Sequence, residues 1–585
     1  MSIGRKILTC ITASAALVCS IFAFANSKDK ENASEVKFTS STELVLIPTL
    51  VTDKSGKHVS GLKKEDSTVL ENGAEQKIAT FQEITSDPHV LSRPTNPNEF
   101  SNSLQGGPAA GCITLIVLDL IKTHFADQAT ARRELLKYLT QSVDQREPTA
   151  LYTFTRTGLN VIHDFTTDPR ILVAPLHQVN GDTSEMVDSE SVVEGLTGSA
   201  SPDGASGANQ TAALPISKNQ FSNGGYSQHA VQAEAARIQS MLEDAELTFQ
   251  SLEQRFAITY TLQGMQELSQ ELAGFPGRKS LLWAGGGFPF HVSDDTMLLA
   301  PVGRDTLVDL LPLYEHTWQL LNAAQIALYP VDVKGLQVLV MANASVRNPG
   351  PNYARNVTRR HYDTQATLDV FASMTGGRAY YNSNDLATGF RDAVRDSAEY
   401  YMLGYYLDQS KTKPGWRKLA VKARGEHFEV RARSGFFVTN ATVDPGTSRN
   451  NDIALALQSP VDFTSIALVA RWDNVEPSKE PGKKHVNYEM QLAVDPTLIN
   501  EAENNHVAME FAALAKAPDG KPVDGPSGKR IETHLTPEKL SAIRQDSVGY
   551  RGALDLAPGE YTFRFVVRDD LSGRIGSVAA PLKVE

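Results

Sequence analysis

The sequence predicts a mixed α/β protein: a Rossmann-like, doubly wound and mostly parallel sheet in the centre, flanked by β-rich modules. Three observations carry that expectation. Apolar runs that end at a polar residue, such as Ile113 to Leu118 before Asp119, fit strands buried on both faces. Stretches with apolar residues at helical spacing follow these runs, as at Ala131, Leu135, Tyr138 and Leu139. Short alternating segments separated by turns such as Asn72-Gly73 and Pro518-Asp519-Gly520 fill both ends of the chain.

The first 25 residues read as a secretory signal peptide. Arg5 and Lys6 precede an apolar stretch from Ile7 to Phe24, and Ala23-Phe24-Ala25 supplies a small-x-small cleavage pattern. The competing reading is an uncleaved anchor. Cleavage removes Cys10 and Cys19, so Cys112 remains alone and no internal disulfide can form. The sequence therefore places the protein outside the cytoplasm, in the periplasm or secreted, with no membrane span after cleavage. A net charge of -12 with mixed signs argues against nucleic acid as a partner.

Residues 36–85 read as an amino-terminal β-module, with a strand at Leu44 to Val51 and short strands at Ser67 to Leu70 and Gln76 to Phe81. Residues 86–111, rich in Pro, Asn, Ser and Gly, read as a linker. The α/β region spans 112–400. It holds strands at Cys112 to Leu118, Ala150 to Phe154, Leu159 to Phe165, Lys279 to Trp283, Ile326 to Val331 and Arg378 to Tyr381. Its helices are expected between Ala126 and Val143, Pro169 and Val179, Gln228 and Ala273, Thr306 and Gln325, Gln365 and Met374, and Asp385 and Ala398. Residues 181–226, dominated by Ser, Gly, Asn, Asp and Thr, read as a low-complexity, mobile insertion. Residues 401–440 alternate as strands that close a β-module with the amino-terminal segment. Residues 453–585 read as a separate immunoglobulin-like β-sandwich.

Several segments together resemble the von Willebrand factor A-related proteins of the acidobacterial type. They are the strand ending in Asp119, Phe275-Pro276-Gly277-Arg278-Lys279-Ser280, Tyr329-Pro330-Val331-Asp332, Met374-Thr375-Gly376-Gly377 and Tyr401-Met402-Leu403-Gly404-Tyr405, followed by Trp416-Arg417-Lys418 and Val430 to Phe436. The resemblance covers roughly residues 40 to 440. It implies ligand binding through a metal-ion-dependent adhesion site at the carboxyl ends of the strands, built from Asp-x-Ser-x-Ser, a Thr in a second loop and an Asp in a third. A hard dication wants such oxygen ligands. Here the site is degenerate. Asp119, Thr123 and Thr183 match, Ile121 replaces the middle serine, and Ala284-Gly285-Gly286 stands where Thr-Asp-Gly is expected. Asp127, Asp164, Asp182 and Asp332 are substitutes by residue type for a bound Mg2+ or Mn2+. The competing role for Asp119 is to cap the following helix or accept from loop amides.

The chain has no Gly-x-Ser-x-Gly, no His-Glu-x-x-His and no paired Cys-x-x-Cys. The loop at 285–287 lacks phosphate-cradle spacing, Gly525 to Arg530 reads as a hairpin turn, and Asp569-Asp570 read as solvated turn residues. The expectation is a non-enzymatic binding, adhesion or assembly protein with a protein or glycan ligand. The alternative is an exported hydrolase acting on an extracellular polymer.

Overall fold

The computed structural model describes residues 42–585 except 86–97, 104–112, 124, 142–147, 180–227, 291, 293–307, 337–350, 384, 409–411, 426, 439–444, 493–497, 500–504, 524, 540 and 542–547. The signal segment 1–25, Cys112 and the insertion 181–226 with Asp182 and Thr183 lie outside the described residues. The fold is mixed α/β and mostly β-rich, with one mostly parallel sheet and several antiparallel ones.

The amino-terminal strands are β1 (Thr42–Thr52), β2 (Ser67–Glu71), β3 (Ala74–Gln76) and β4 (Ile78–Thr85). Asn72 and Gly73 both take positive φ, 48° and 85°, the backbone that a two-residue hairpin between twisted strands requires. The central sheet runs in the order β10 (Ile326–Asp332), β9 (Lys279–Gly285), β6 (Ile113–Asp119), β7 (Thr149–Thr155) and β8 (Gly158–Thr166). The first four are parallel, and β8 folds back antiparallel on β7.

All seven residues of β6, β9 and β10 are buried, and alternation divides them between two cores. Leu115, Val117, Leu281, Trp283 and Leu328 face α3 (Gln228–Leu272), α4 (Leu311–Ala323) and α5 (Pro351–Thr375). Ile116, Leu118, Leu282, Ala327 and Tyr329 face α1 (Phe125–Gln141), α2 (Val173–Gln178) and α6 (Leu386–Ala398). Helices on both faces explain why these strands read as continuous apolar runs.

Residues 378–381 do not form the expected strand. Tyr380 makes one parallel bridge to Val331, with its N–H donating to Pro330 O and its carbonyl accepting from Asp332 N. Gly377 explains the tight approach, because a Cβ there would stand 1.9 Å from Leu328 O.

The segment after α6 returns to the amino-terminal strands. β11 (Glu399–Asp408) lies between β1 and β4, β13 (Glu429–Arg431) pairs with β1, and β12 (Gly415–Ala423) joins β2 to β14 (Gly435–Val438). Their shared core holds Ile47, Val69, Tyr401, Leu403 and Leu419. Glu71 is buried there, accepting from Tyr405 Oη and the Arg417 guanidinium. Arg431 reaches across to Asp396 of α6 at 2.6 Å, fastening the two bodies.

Two four-stranded antiparallel sheets complete the chain. One holds β19 (Val548–Leu556), β16 (Lys484–Leu492), β15 (Leu468–Pro477) and β5 (Glu99–Ser101). The other holds β18 (Ser527–His534), β17 (His506–Lys516), β20 (Gly559–Asp569) and β21 (Ile575–Val584). Leu468, Tyr488 and Met490 of the first meet Phe511, Phe563 and Phe565 of the second.

Four expectations change here. Residues 99–101, read as linker, form β5 against β15. Ser527 to Arg530, read as a turn, pair with β17, and Gly528 allows the close approach, because a Cβ there would stand 2.2 Å from Phe511 O. Asp569 and Asp570 do sit at a hairpin end but are not solvated: Asp569 is 1% exposed and accepts from Leu571 N and Ser572 N, and Asp570 pairs with Arg530 and Arg568. Residues 445–458, left outside the expected elements except for their last few, form helix α7 (Pro445–Gln458).

Candidate functional site

Three parallel neighbours, β10, β9 and β6, deliver their carboxyl-terminal loops to one edge of the sheet, where an open α/β sheet places its sites. Asp119 ends β6 and is 1% exposed. Its Oδ1 accepts from Ile121 N at 2.9 Å, and its Oδ2 accepts from Trp283 Nε1 at 3.0 Å. Burial pushes the carboxyl up to about 6, while those donors and the nearby Lys122 ammonium pull the other way.

Thr123 is equally engaged. Its hydroxyl donates to Asp119 O at 2.5 Å and accepts from Gly286 N at 2.8 Å, which joins the β6 loop to the β9 loop. Gln128 Nε2 donates to Thr123 O and ties that loop to α1. Across the edge, Asp332 is 2% exposed and accepts from Lys334 N at 3.0 Å, while Val333 N donates to Gly285 O.

The structure thus brings Asp119, Thr123 and Asp332 to one sheet edge, with Asp119 and Asp332 on strands either side of β9. Asp127 lies in the first turn of α1. Asp164 lies elsewhere: β8 is antiparallel, so Asp164 falls beside the amino-terminal start of β7. Thr183 and Asp182 lie outside the described residues.

The donor set can be tested against a divalent cation. The one carboxylate matching the motif turns each of its oxygens to an N–H, and the Thr123 hydroxyl both donates and accepts within the protein. The third-loop carboxylate has no room either: a Cβ on Gly285 would stand 2.8 Å from Asp119 Cβ, and one on Gly286 would stand 2.3 Å from Lys122 O. Among the described residues no group of three His, Cys, Asp or Glu could hold a metal ion. The described residues do not fit Mg2+ or Mn2+ at this edge.

The glycine loop makes no anion cradle. Gly286 N is spent on Thr123, and the chain turns back into the core through Phe288, whose ring stacks on Phe371 at 4.3 Å.

Sequence reasoning missed Trp283, the second anchor of Asp119. Its indole N–H required the register of β9 against β6, which places Trp283 beside Val117. Three of the segments that carry the family resemblance, at 275–280, 329–332 and 374–377, also meet at the opposite end of the sheet. Arg278 donates to Gly376 O at 2.6 Å and to Tyr329 Oη at 3.2 Å, and its N–H donates to Tyr400 Oη. Those motifs hold the scaffold together.

No family model and no curated protein matches the chain. Among the solved structures, the X-ray structure of a Northeast Structural Genomics Consortium target is 12% identical over 20% of this chain and 83% of that one, at a TM-score of 0.12. That likeness is too slight to define the fold. Among the described residues no helix is long and apolar enough to cross a membrane.

Proposed function

We propose that this chain is an exported binding or assembly protein related to von Willebrand factor A. In this reading the central sheet is the Rossmann-like, A-type domain, the last two sheets are an immunoglobulin-like spacer, and the protein works in the periplasm or outside the cell. A protein or glycan ligand meets the loops after β6, β9 and β10.

The observation that carries this reading is the locking of those loops. Asp119 to Trp283 and Thr123 to Gly286 fix two loops from different strands before any ligand arrives, and a preorganised surface loses little entropy on binding. The polar atoms of the motif are committed to the scaffold, which favours recognition by the loop rim over chemistry at Asp119. The same commitment favours engagement without a divalent cation, so the adhesion site is a metal-free descendant of the usual one.

The test is a binding screen of the purified chain against peptidoglycan fragments, envelope glycans and peptides, with Lys122→Glu and Lys334→Glu as rim variants. Saturable binding weakened at least tenfold by either variant supports the reading. Turnover of ester, peptide or glycan substrates that disappears in Asp119→Ala would replace it with the hydrolase reading. Calorimetric titration with Mg2+ and Mn2+ is expected to give no saturable binding that Asp119→Ala removes.

A further inference from the structure

We propose that helix α3 is a self-association helix that docks a second copy of this chain. It is 45 residues long, and it carries two apolar rows on opposite sides, one exposed over residues 241–260 and one buried over residues 258–272. One side, through Ile258, Leu262, Met265, Leu268 and Leu272, is buried against the central sheet. The other carries Met241, Ala245, Phe249, Leu252, Phe256 and Tyr260, all of them exposed. Met241, Phe249 and Phe256 are 58%, 61% and 56% exposed, and the Phe256 and Tyr260 rings lie 6.5 Å apart along the line.

At about 100° per residue the two sides point roughly opposite ways. A surface helix needs one apolar stripe against its own core, which residues 258–272 supply, and the exposed row over residues 241–260 is left to be covered. Singly scattered exposed apolar residues are ordinary, but a continuous row of them marks an interaction surface.

Three features select a second copy as the cover. The row steps by four, four, three, four and four residues, a near 11-residue repeat that keeps it straight for about 28 Å, and an identical helix offers the same straight row. With about half of each large side chain exposed, the row presents roughly 500 Å². Two copies bury about 1,000 Å², the lower bound for a specific interface. The row contains no charged residue, so a chain of net charge -12 meets no like charge at the centre of such a contact. An anionic lipid surface fits less well. Of the arginines flanking the row, Arg237 and Arg255, the second is already paired with Asp309, and a membrane-binding helix wants a basic border.

Sedimentation velocity of residues 26–585, the chain left after removal of the signal segment, from about 1 to 50 μM tests this, across the dissociation range of a contact this size. The expected result is a concentration-dependent dimer, with a Phe249→Glu/Phe256→Glu variant remaining monomeric at every concentration. Both side chains are exposed, so far-ultraviolet circular dichroism and the thermal midpoint are expected to match the parent. Leu252→Lys gives an independent weakening of the dimer should the double variant fold poorly. A parent chain that stays monomeric, a dimer that survives Leu252→Lys and the double variant, or a monomer that co-sediments with phosphatidylglycerol vesicles would each overturn the proposal.

Discussion

At the scale of single residues, Asp119 shows how one position serves two readings. An aspartate closing a buried strand was legible in the sequence, as was the loss of a carboxylate at Gly285. Which role Asp119 takes was not, because that depends on where the Trp283 indole points. In the structure Asp119 is a fastener. Removing it leaves the Trp283 and Ile121 N–H groups buried without that acceptor, so Asp119→Ala is expected to cost about 2–4 kcal/mol. Urea unfolding measures this as a lower midpoint with an unchanged slope. Gly285→Asp, which restores the missing third-loop carboxylate on paper, forces a Cβ to within 2.8 Å of Asp119 Cβ. That variant is expected to lose stability and to gain no Mg2+ binding by calorimetry. A Gly285→Asp chain that binds Mg2+ saturably would show that the site lacks only one ligand.

At the scale of elements, strands buried on both faces and helices with one apolar stripe declared themselves through periodicity. Elements that depend on distant partners did not. β5 is three residues in a polar stretch, held because β15 offers an edge and because Asn102 clamps it: Asn102 Nδ2 donates to Phe463 O and Ile466 O, and its Oδ1 accepts from Leu468 N. Asn102→Ala is expected to destabilise the carboxyl-terminal sheets by about 2–4 kcal/mol. Hydrogen exchange at Leu468 and Ala470 reads this as lost protection. β9 hides a second dependence. Lys279, its first residue, is 2% exposed, donates to Ala324 O at 2.7 Å, and is pushed by burial down to about 7 from 10.5. The unfolded chain therefore binds the Lys279 proton more tightly than the folded chain between pH 7 and 10.5. Stability rises with pH across that window and is flat, at its lowest contribution from this group, below it. Lys279→Met is expected to abolish this slope and to be neutral or stabilising by about 1–3 kcal/mol at pH 7. Midpoints of both chains at pH 7 and pH 10 check it: an equal change in the two would mean that Lys279 stays protonated in the fold.

At the scale of the whole molecule, chain order and spatial order part company. The amino-terminal β1 takes β11 as its neighbour across more than 300 residues, from Thr42 opposite Asp408 to Thr49 opposite Tyr401. An apolar run marked β1 and alternation marked β11, and the sequence joined them only as parts of one β-module, with no local signal for the register. The carboxyl-terminal sheets are likewise not a detached unit. Thr464 N donates to Gln270 O, Gly274 N donates to Thr464 Oγ1, and Ala456, Leu457 and Phe463 share a core with α3. No composition shift marks such a seam, because buried interfaces use the same apolar residues as any core. One consequence is kinetic and thermodynamic together: the amino-terminal strands cannot complete a sheet until β11 has been synthesised. A chain ending at Ala398 leaves β1 and β4 with bare edges and exposes Val45 and Ile47 of their core. That truncation is expected to lose hydrogen-exchange protection throughout residues 42–85 and to aggregate. The face of the central sheet that packs on α1, α2 and α6, whose core residues all precede residue 399, is expected to keep its protection at Ile116, Leu151 and Leu282. Protection of residues 42–85 equal to that of the full chain would mean that the amino-terminal strands fold without β11, and that the long-range pairing follows their folding instead of enabling it.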